Sequence, residues 1–345
     1  MKVDGAETDR AGPLMRLAML PYMQRRSFLK LLPAATAIGG TLTAQDTPAQ
    51  IRSLRVRVLS TMLADAGIGE WGFAAYIEAD GRRFLFDTGG RPETVRQNAA
   101  ELKVDLAQVD QMLLSHFHGD HNAGLLTLRR EAAKQRASAL GTCYVGEGIF
   151  WPRRRSQLDE RESNDALLVK PQYEALGGKF VNVAKPTQIF PGAWLTGPVP
   201  RPYPERNWSG TGQMKTAQGW VEDNLPEDMS LAFDTAAGWV VISGCGHSGI
   251  INTLEHIRKS IRTAPIHAAI GGFHLFPAND ATLDWTGTKL KEFGLENLLG
   301  AHCTGIEAVY HLRQQLGLKR ANCVVGSVGA SFTLGSGISP GQVAR

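Results

Sequence analysis

The sequence predicts an α/β protein in which two sheets pack together with helices outside. Three observations carry that reading. The chain has two β-rich halves, each containing a hairpin pattern and each ending in strand–helix units. Hydrophobic residues make up 43% of its 345 residues, ample material for a packed core. Charged residues, at 20% and of mixed sign, do not give the low hydrophobicity and high net charge of an unfolded chain.

The elements follow in order. Residues 55–60 alternate as a strand, and residues 73–78 and 83–86 flank Asp80-Gly81, a strong hairpin signal. A helix over 92–102 precedes the apolar run Gln111-Met112-Leu113-Leu114-Ser115. In the second half, residues 231–234 and 239–243 form another hairpin, followed by a helix over 251–261 and a strand over 266–270. A helix over 283–293, a strand over 297–300, a helix over 306–316 and a strand over 323–328 complete the series. Between the halves, residues 148–229 are rich in Pro, Gly and Arg and read as an insertion or lid within one domain spanning 51–345. No solenoid or propeller repeat interrupts this order.

Residues 1–50 read as an address and linker. Gln24-Arg25-Arg26-Ser27-Phe28-Leu29-Lys30 precedes an uncharged, small-residue run over 31–44 that contains Gly39-Gly40. This pattern resembles a twin-arginine export signal, which implies passage through the twin-arginine export machinery to a bacterial periplasm, with cleavage after Ala44 as one option. The run is too short to span a bilayer, so no stable membrane span is expected.

The formal net charge is +4. Lys2, Arg10, Arg16, Arg25, Arg26 and Lys30 against Asp4, Glu7, Asp9 and Asp46 put +2 of it in the first 50 residues. The body is therefore nearly neutral, and charge gives no reason to expect nucleic acid as a partner. Four cysteines, at 143, 245, 303 and 323, are too scattered for a disulfide framework, and no C-x-x-C is present.

Chemistry begins at Ser115-His116-Phe117-His118-Gly119-Asp120-His121. Three imidazoles and a carboxylate within six residues, after an apolar strand, put N and O donors on one turn at a sheet edge. That donor set suits Zn(II) or a similar ion. His116 and His118 point one way along the chain, while Asp120 and His121 reach a second ion nearby.

With Phe86-Asp87-Thr88-Gly89-Gly90 upstream, these motifs resemble the metallo-β-lactamase superfamily. The resemblance covers residues 55–335 and implies a four-layer αββα sandwich and a dinuclear metal hydrolase. It also implies that Asp87 holds a metal-binding His in place by a hydrogen bond. Ser243-Gly244-Cys245-Gly246-His247, Gly271-Gly272-Phe273-His274-Leu275 and Ala301-His302-Cys303-Thr304-Gly305 resemble the branch of dihydropterin-aminobenzene phosphate synthase-like proteins, away from the typical β-lactamases. Cys245 stands where the superfamily carries a bridging Asp, and it reads either as a thiolate ligand or as a small buried residue. Residues 223–230, just before the second hairpin, contain no His, so His247 is the expected third nitrogen for the first ion, and His302 matches the last superfamily His, for the second. His274 is a ligand, a proton donor or a structural residue on this reading. His256, His267 and His311 lie inside helices or strands and read as structural.

Two divalent ions, zinc foremost and manganese or iron as options, would make a hydroxide available near neutral pH, with Asp120 orienting it and accepting its proton. Neither a G-x-S-x-G elbow nor a phosphate-binding G-x-x-x-x-G-K-[ST] loop is present. The expected activity is metal-dependent hydrolysis of a small molecule: an ester, lactone, phosphoester or pterin-like substrate. The alternative is a non-catalytic metal-binding or redox-sensing protein using Cys245 and Cys303. Arg153-Arg154-Arg155 reads either as a partner for a phosphate or carboxylate or as a solvated turn neutralised by Asp159, Glu160 and Glu162.

Overall fold

The structure is a computed structural model describing residues 50–344. The twin-arginine segment lies outside the described residues.

Alternating side chains divide each strand between two apolar layers, as a period of two requires. In the strand Ala74–Ala79, Ala75 and Ile77 join the central core while Ala74 and Tyr76 join an outer one. In Arg82–Phe86, Phe84 and Phe86 point inward and Leu85 outward. The strand Gly238–Ser243 does the same from the other sheet, with Val240 and Ile242 inward and Trp239 and Val241 outward. The central core thus joins two sheets face to face, and each outer core joins one sheet to helices. This is the four-layer αββα sandwich. Burying a side chain the size of Phe86 contributes on the order of 2 kcal/mol before entropy is counted.

The first sheet has eight strands, in the order Gly337–Ser339, Ser331–Thr333, Leu54–Ser60, Ala74–Ala79, Arg82–Phe86, Gln111–Leu114, Thr142–Gly146 and Lys179–Val183. The second has seven: Cys323–Val325, Asn297–Gly300, Ile266–Gly271, Gly238–Ser243, Leu231–Thr235, Ala193–Leu195 and Thr187–Phe190. Both hairpins form, with Ala79 paired to Arg82 and Thr235 to Gly238. Helices Thr94–Glu101 and Leu125–Gln135 cover the first sheet; Ile250–Ser260, Asp280–Glu292 and Ile306–Leu316 cover the second.

Residues 148–229 do not act as one excursion. Lys179–Val183 extends the first sheet in parallel with Thr142–Gly146, and Thr187–Phe190 and Ala193–Leu195 extend the second. What stands apart is a three-stranded sheet of Arg153–Arg154, Gln213–Thr216 and Gly219–Glu222. The last predicted strand ends early, at Val325, where Gly326 instead bonds Gly300 O at 2.7 Å. Among the described residues, no helix is long and apolar enough to cross a membrane.

Candidate metal centre

Parallel strands deliver the candidate donors. Asp87 follows Arg82–Phe86 and His116 follows Gln111–Leu114; in the second sheet Cys245, His274 and His302 follow Gly238–Ser243, Ile266–Gly271 and Asn297–Gly300. Ligand sites gather outside the carboxyl ends of parallel strands because the loops there converge. Asp87, His274 and His302 all hold positive φ, at 55°, 48° and 47°, a conformation that non-glycine residues adopt at a cost.

Asp87 is fully buried and all its contacts are spoken for. Its Oδ1 accepts from Ser115 N at 2.7 Å, and its Oδ2 faces Ser115 Oγ and His121 Nδ1, each at 2.7 Å. Burial works against the protonated His121 imidazole, but the Asp87 carboxylate outweighs it and pushes His121 up to about 9. Ser115 Oγ also reaches His116 Nδ1 at 2.9 Å, so Ser115 orients one candidate ligand directly and holds the carboxylate that orients another. Gly244 makes this possible: a Cβ there would fall 2.1 Å from Ser115 Oγ and 2.6 Å from Asp87 Oδ2.

Around this buttress the imidazoles gather. His116 Nε2 is 3.0 Å from His118 Nδ1, and the His247 ring lies 4.7 Å from His116 and 4.9 Å from His118. His302 is 4.9 Å from His121 between ring centres, and its Nε2 is 3.3 Å from Asp120 Oδ2 without the alignment of a hydrogen bond. Cys245 Sγ stands 3.2 Å from His121 Nε2. Donor atoms within 4.8 Å of one another group His116 with Cys245 and His247, His121 with Cys245 and His302, His116 with Asp120 and His121, and Cys245 with His274 and Cys303. Cys245 belongs to three of the four.

The donor set fits a cation. His247 Nε2 and both ring nitrogens of His302 are buried without a protein hydrogen bond, an arrangement that is costly unless something else satisfies them. His247 Nδ1 meets the Asn207 carbonyl, which orients the ring and leaves Nε2 as the donor. Burial pushes His247 down to about 4, toward the neutral form that a metal requires. Burial opposes the charge on Asp120, yet His302 and His121 hold its carboxyl well below the usual carboxylate range.

Two further residues stand at the site: Cys303, which the sequence offered only for the redox-sensing alternative, and Trp71, which it did not offer. Cys303 Sγ lies 3.2 Å from Cys245 Sγ and accepts from His274 N at 3.3 Å. Trp71, 48% exposed, packs at 4.8 Å on His302. The signal available for Cys303 was its place in Ala301-His302-Cys303-Thr304-Gly305; Trp71 carried none. The remaining histidines are engaged elsewhere: His256 with Thr196 O, His267 with Glu296 and His311 with Asp284.

The arginine run divides. Arg153 is 1% exposed and pairs with Asp223 at 2.8 Å and Glu227 at 2.7 Å, so it is neither solvated nor neutralised by its sequence neighbours. Glu162 accepts from the Arg153 backbone N–H, and Asp159 pairs with Arg161. A cavity of about 660 Å³ opens over His118, Asp120, His247 and His274, with Arg154 and Arg155 on its wall.

The sequence profile of the Metallo-beta-lactamase superfamily matches residues 72–255, a span that holds Asp87, the His116–His121 loop, Cys245 and His247. The 7,8-dihydropterin-6-methyl-4-(beta-D-ribofuranosyl)-aminobenzene-5'-phosphate synthase of Methanocaldococcus jannaschii is 29% identical over 246 residues, which is 68% of this chain and 81% of that protein. An uncharacterized protein of the same organism is 30% identical over 244 residues, 70% of this chain and 87% of its own. Among solved structures, a metal-dependent hydrolase of the beta-lactamase superfamily superposes with a TM-score of 0.64 at 25% identity, covering 81% of this chain and 98% of that one.

Proposed function

We propose that this chain, which belongs to the metallo-beta-lactamase superfamily, is a metal-dependent hydrolase of an ester, lactone, phosphoester or pterin-like substrate. One observation carries the reading: buried donors converge on Cys245, with His116 and His247 in one set and His121 and His302 in another, beside an open cavity. Two divalent ions, zinc foremost and manganese or iron as options, would be held by His116, His118 and His247 and by Asp120, His121 and His302, with Cys245 shared. When bound, such ions acidify a water molecule and polarise the substrate oxygen that gains charge.

The rest falls to the chain's own groups. Ser115 and Asp87 fix the rings of His116 and His121, which keeps the donors in register without reorganisation. Asp120 lines the cavity and keeps its charge against burial, so its carboxylate can orient the attacking water; its part as proton acceptor rests on its place between the donors and the cavity. His274 lines the same cavity and has a buried, unpartnered Nδ1, which suits it to pass a proton to the leaving oxygen. A pterin-like substrate belongs in the range because a relative bears a synthase's name.

A second reading, a metal- or redox-sensing protein without turnover, draws on the Cys245–Cys303 contact of 3.2 Å. The two separate in one experiment. Purified protein is analysed for metal and assayed on chromogenic esters, lactones and phosphodiesters before and after chelation. Hydrolysis lost with the metal and restored with it supports the hydrolase; bound metal without turnover of any of these, and a thiol state that changes the metal content, overturns it in favour of the second reading.

We further propose that the twin-arginine segment directs the folded chain to the periplasm. Replacing Arg25 and Arg26 together by Lys then retains the precursor in the cytoplasm, and unimpaired export of that variant overturns the assignment.

A further inference from the structure

The cavity wall also carries charge that the hydrolytic machinery does not use. Arg153, Arg154 and Arg155 lie in one run, and each has a different environment. Arg153 is spent on structure: its ion pairs with Asp223 and Glu227 are buried, and its guanidinium lies 4.1 Å over the ring of Phe117, inside the His116–His121 loop. It bolts the three-stranded sheet to the candidate metal loop. Arg154 is the next residue along the same strand, so its side chain leaves by the opposite face.

Arg154 is fixed but not neutralised. Its Nε donates to Gln213 Oε1 at 2.8 Å, and its guanidinium stacks 4.4 Å over Trp220. Both contacts hold the planar fork in one orientation and neither cancels its charge. Arg155 is exposed beside it, and among the described residues neither forms an ion pair, whereas Arg161 nearby does. Both line the cavity that holds His118, Asp120 and His247. Two lining carboxylates lie outside the donor sets: Asp223 is bonded to Arg153, and Asp165 forms no ion pair among the described residues. A forked donor oriented in advance loses less freedom when it binds a planar or tetrahedral oxyanion.

We propose that Arg154 and Arg155 form an oxyanion subsite, and that the substrate carries a phosphate or carboxylate in addition to the bond that is broken. This deepens the hydrolase reading and rests on it. Asp165 stands as the charge that tunes the subsite, since it opposes an incoming anion.

The test is calorimetric titration of the metal-loaded protein with phenyl phosphate, benzoate and neutral benzyl alcohol, with metal content measured on every sample. The variants are Arg154→Gln, Arg155→Gln, the double variant and Asp165→Asn. At equal metal content, each arginine variant should weaken phenyl phosphate or benzoate about 10-fold or more, the range for a charged hydrogen bond, and leave benzyl alcohol unmoved. Asp165→Asn should tighten the anions. A loss confined to one anion identifies which group the subsite takes. Unchanged binding of both anions by the double variant overturns the subsite. Failure of the hydrolase reading looks different: metal-loaded wild-type protein then turns over neither neutral esters nor esters that carry a phosphate or carboxylate, yet the arginine-dependent anion binding persists.

Discussion

Asp87 Oδ2 and His121 Nδ1 meet at 2.7 Å with both side chains fully buried, and the other carboxylate oxygen is taken by the Ser115 backbone N–H. The pair joins the end of one strand to the helix that follows the next, so a carboxylate 34 residues upstream sets the orientation of a candidate ligand. His116 differs in kind, since its own Nε2 faces the cluster.

Two substitutions separate these roles. His116→Ala should remove a donor and lower bound metal outright. Asp87→Ala should keep the metal but loosen it by roughly 10- to 100-fold, the usual cost of losing a group that orients a ligand. Competition with a chromogenic chelator measures both, and equal, complete loss from the two would show that Asp87 and His116 do the same job.

The locally encoded parts of this site were legible in the sequence, and the non-local parts were not. Asp80-Gly81 fixes a hairpin because the turn is decided by adjacent residues, and the His116–His121 cluster announces itself by density alone. Lys179–Val183 could not be recognised in the same way: it is an edge strand, mostly half-exposed, whose pairing with Thr142–Gly146 depends on chain 37 residues away. Cys303 reaches Cys245 across 58 residues, and Arg153 finds Glu227 across 74, so neither contact leaves a spacing to read. The same limit made Arg153 look like a solvated turn: Asp159, Glu160 and Glu162 are its neighbours in sequence and Glu227 its partner in space.

The position of Cys245 gives the second prediction. Its sulfur is within 3.2 Å of both His121 Nε2 and Cys303 Sγ and belongs to donor sets with His247 and with His302. Cys245→Asp should keep two ions per chain, because a carboxylate replaces a thiolate as an anionic donor. Cys245→Ser should lower the stoichiometry toward one, since a neutral hydroxyl is a poorer ligand. Metal analysis by mass spectrometry decides the matter; two ions retained in Cys245→Ser would show that the sulfur is packing and not a donor.

Arg153 predicts a large loss of stability from a single buried residue of the arginine run. Both of its carboxylate partners are nearly or fully buried, so Arg153→Met leaves two uncompensated acids in the interior. The expected cost is about 3–5 kcal/mol in urea unfolding. Adding Glu227→Gln should recover part of it by removing the more deeply buried charge. A single variant as stable as wild type would mean that the acids already carry protons and need no partner.

Glu205 supplies the pH dependence. Its oxygens accept from Ile251 N at 3.0 Å and Asn252 N at 2.8 Å, at the start of the helix Ile250–Ser260. Burial outweighs those hydrogen bonds and pushes its carboxyl up to about 7 from the ordinary 4.5. At Glu205 the folded chain therefore binds more protons than the unfolded chain between those values, and the contribution of this residue to stability must fall as pH rises through that window. The contribution is fully present below about pH 4.5 and gone once pH passes the folded value of about 7. Glu227, also pushed up to about 7 by burial, slopes the same way. Glu205→Gln keeps an acceptor for the helix N–H groups but cannot ionise, so its urea midpoint should decline less steeply than that of wild type over the same range. Replacing Glu227 by Gln as well should make the decline shallower still. A Glu205→Gln midpoint that declines more steeply than wild type from about pH 5 to 7 would reverse the sign and place the Glu205 charge among groups that favour it, with the amino end of the helix foremost.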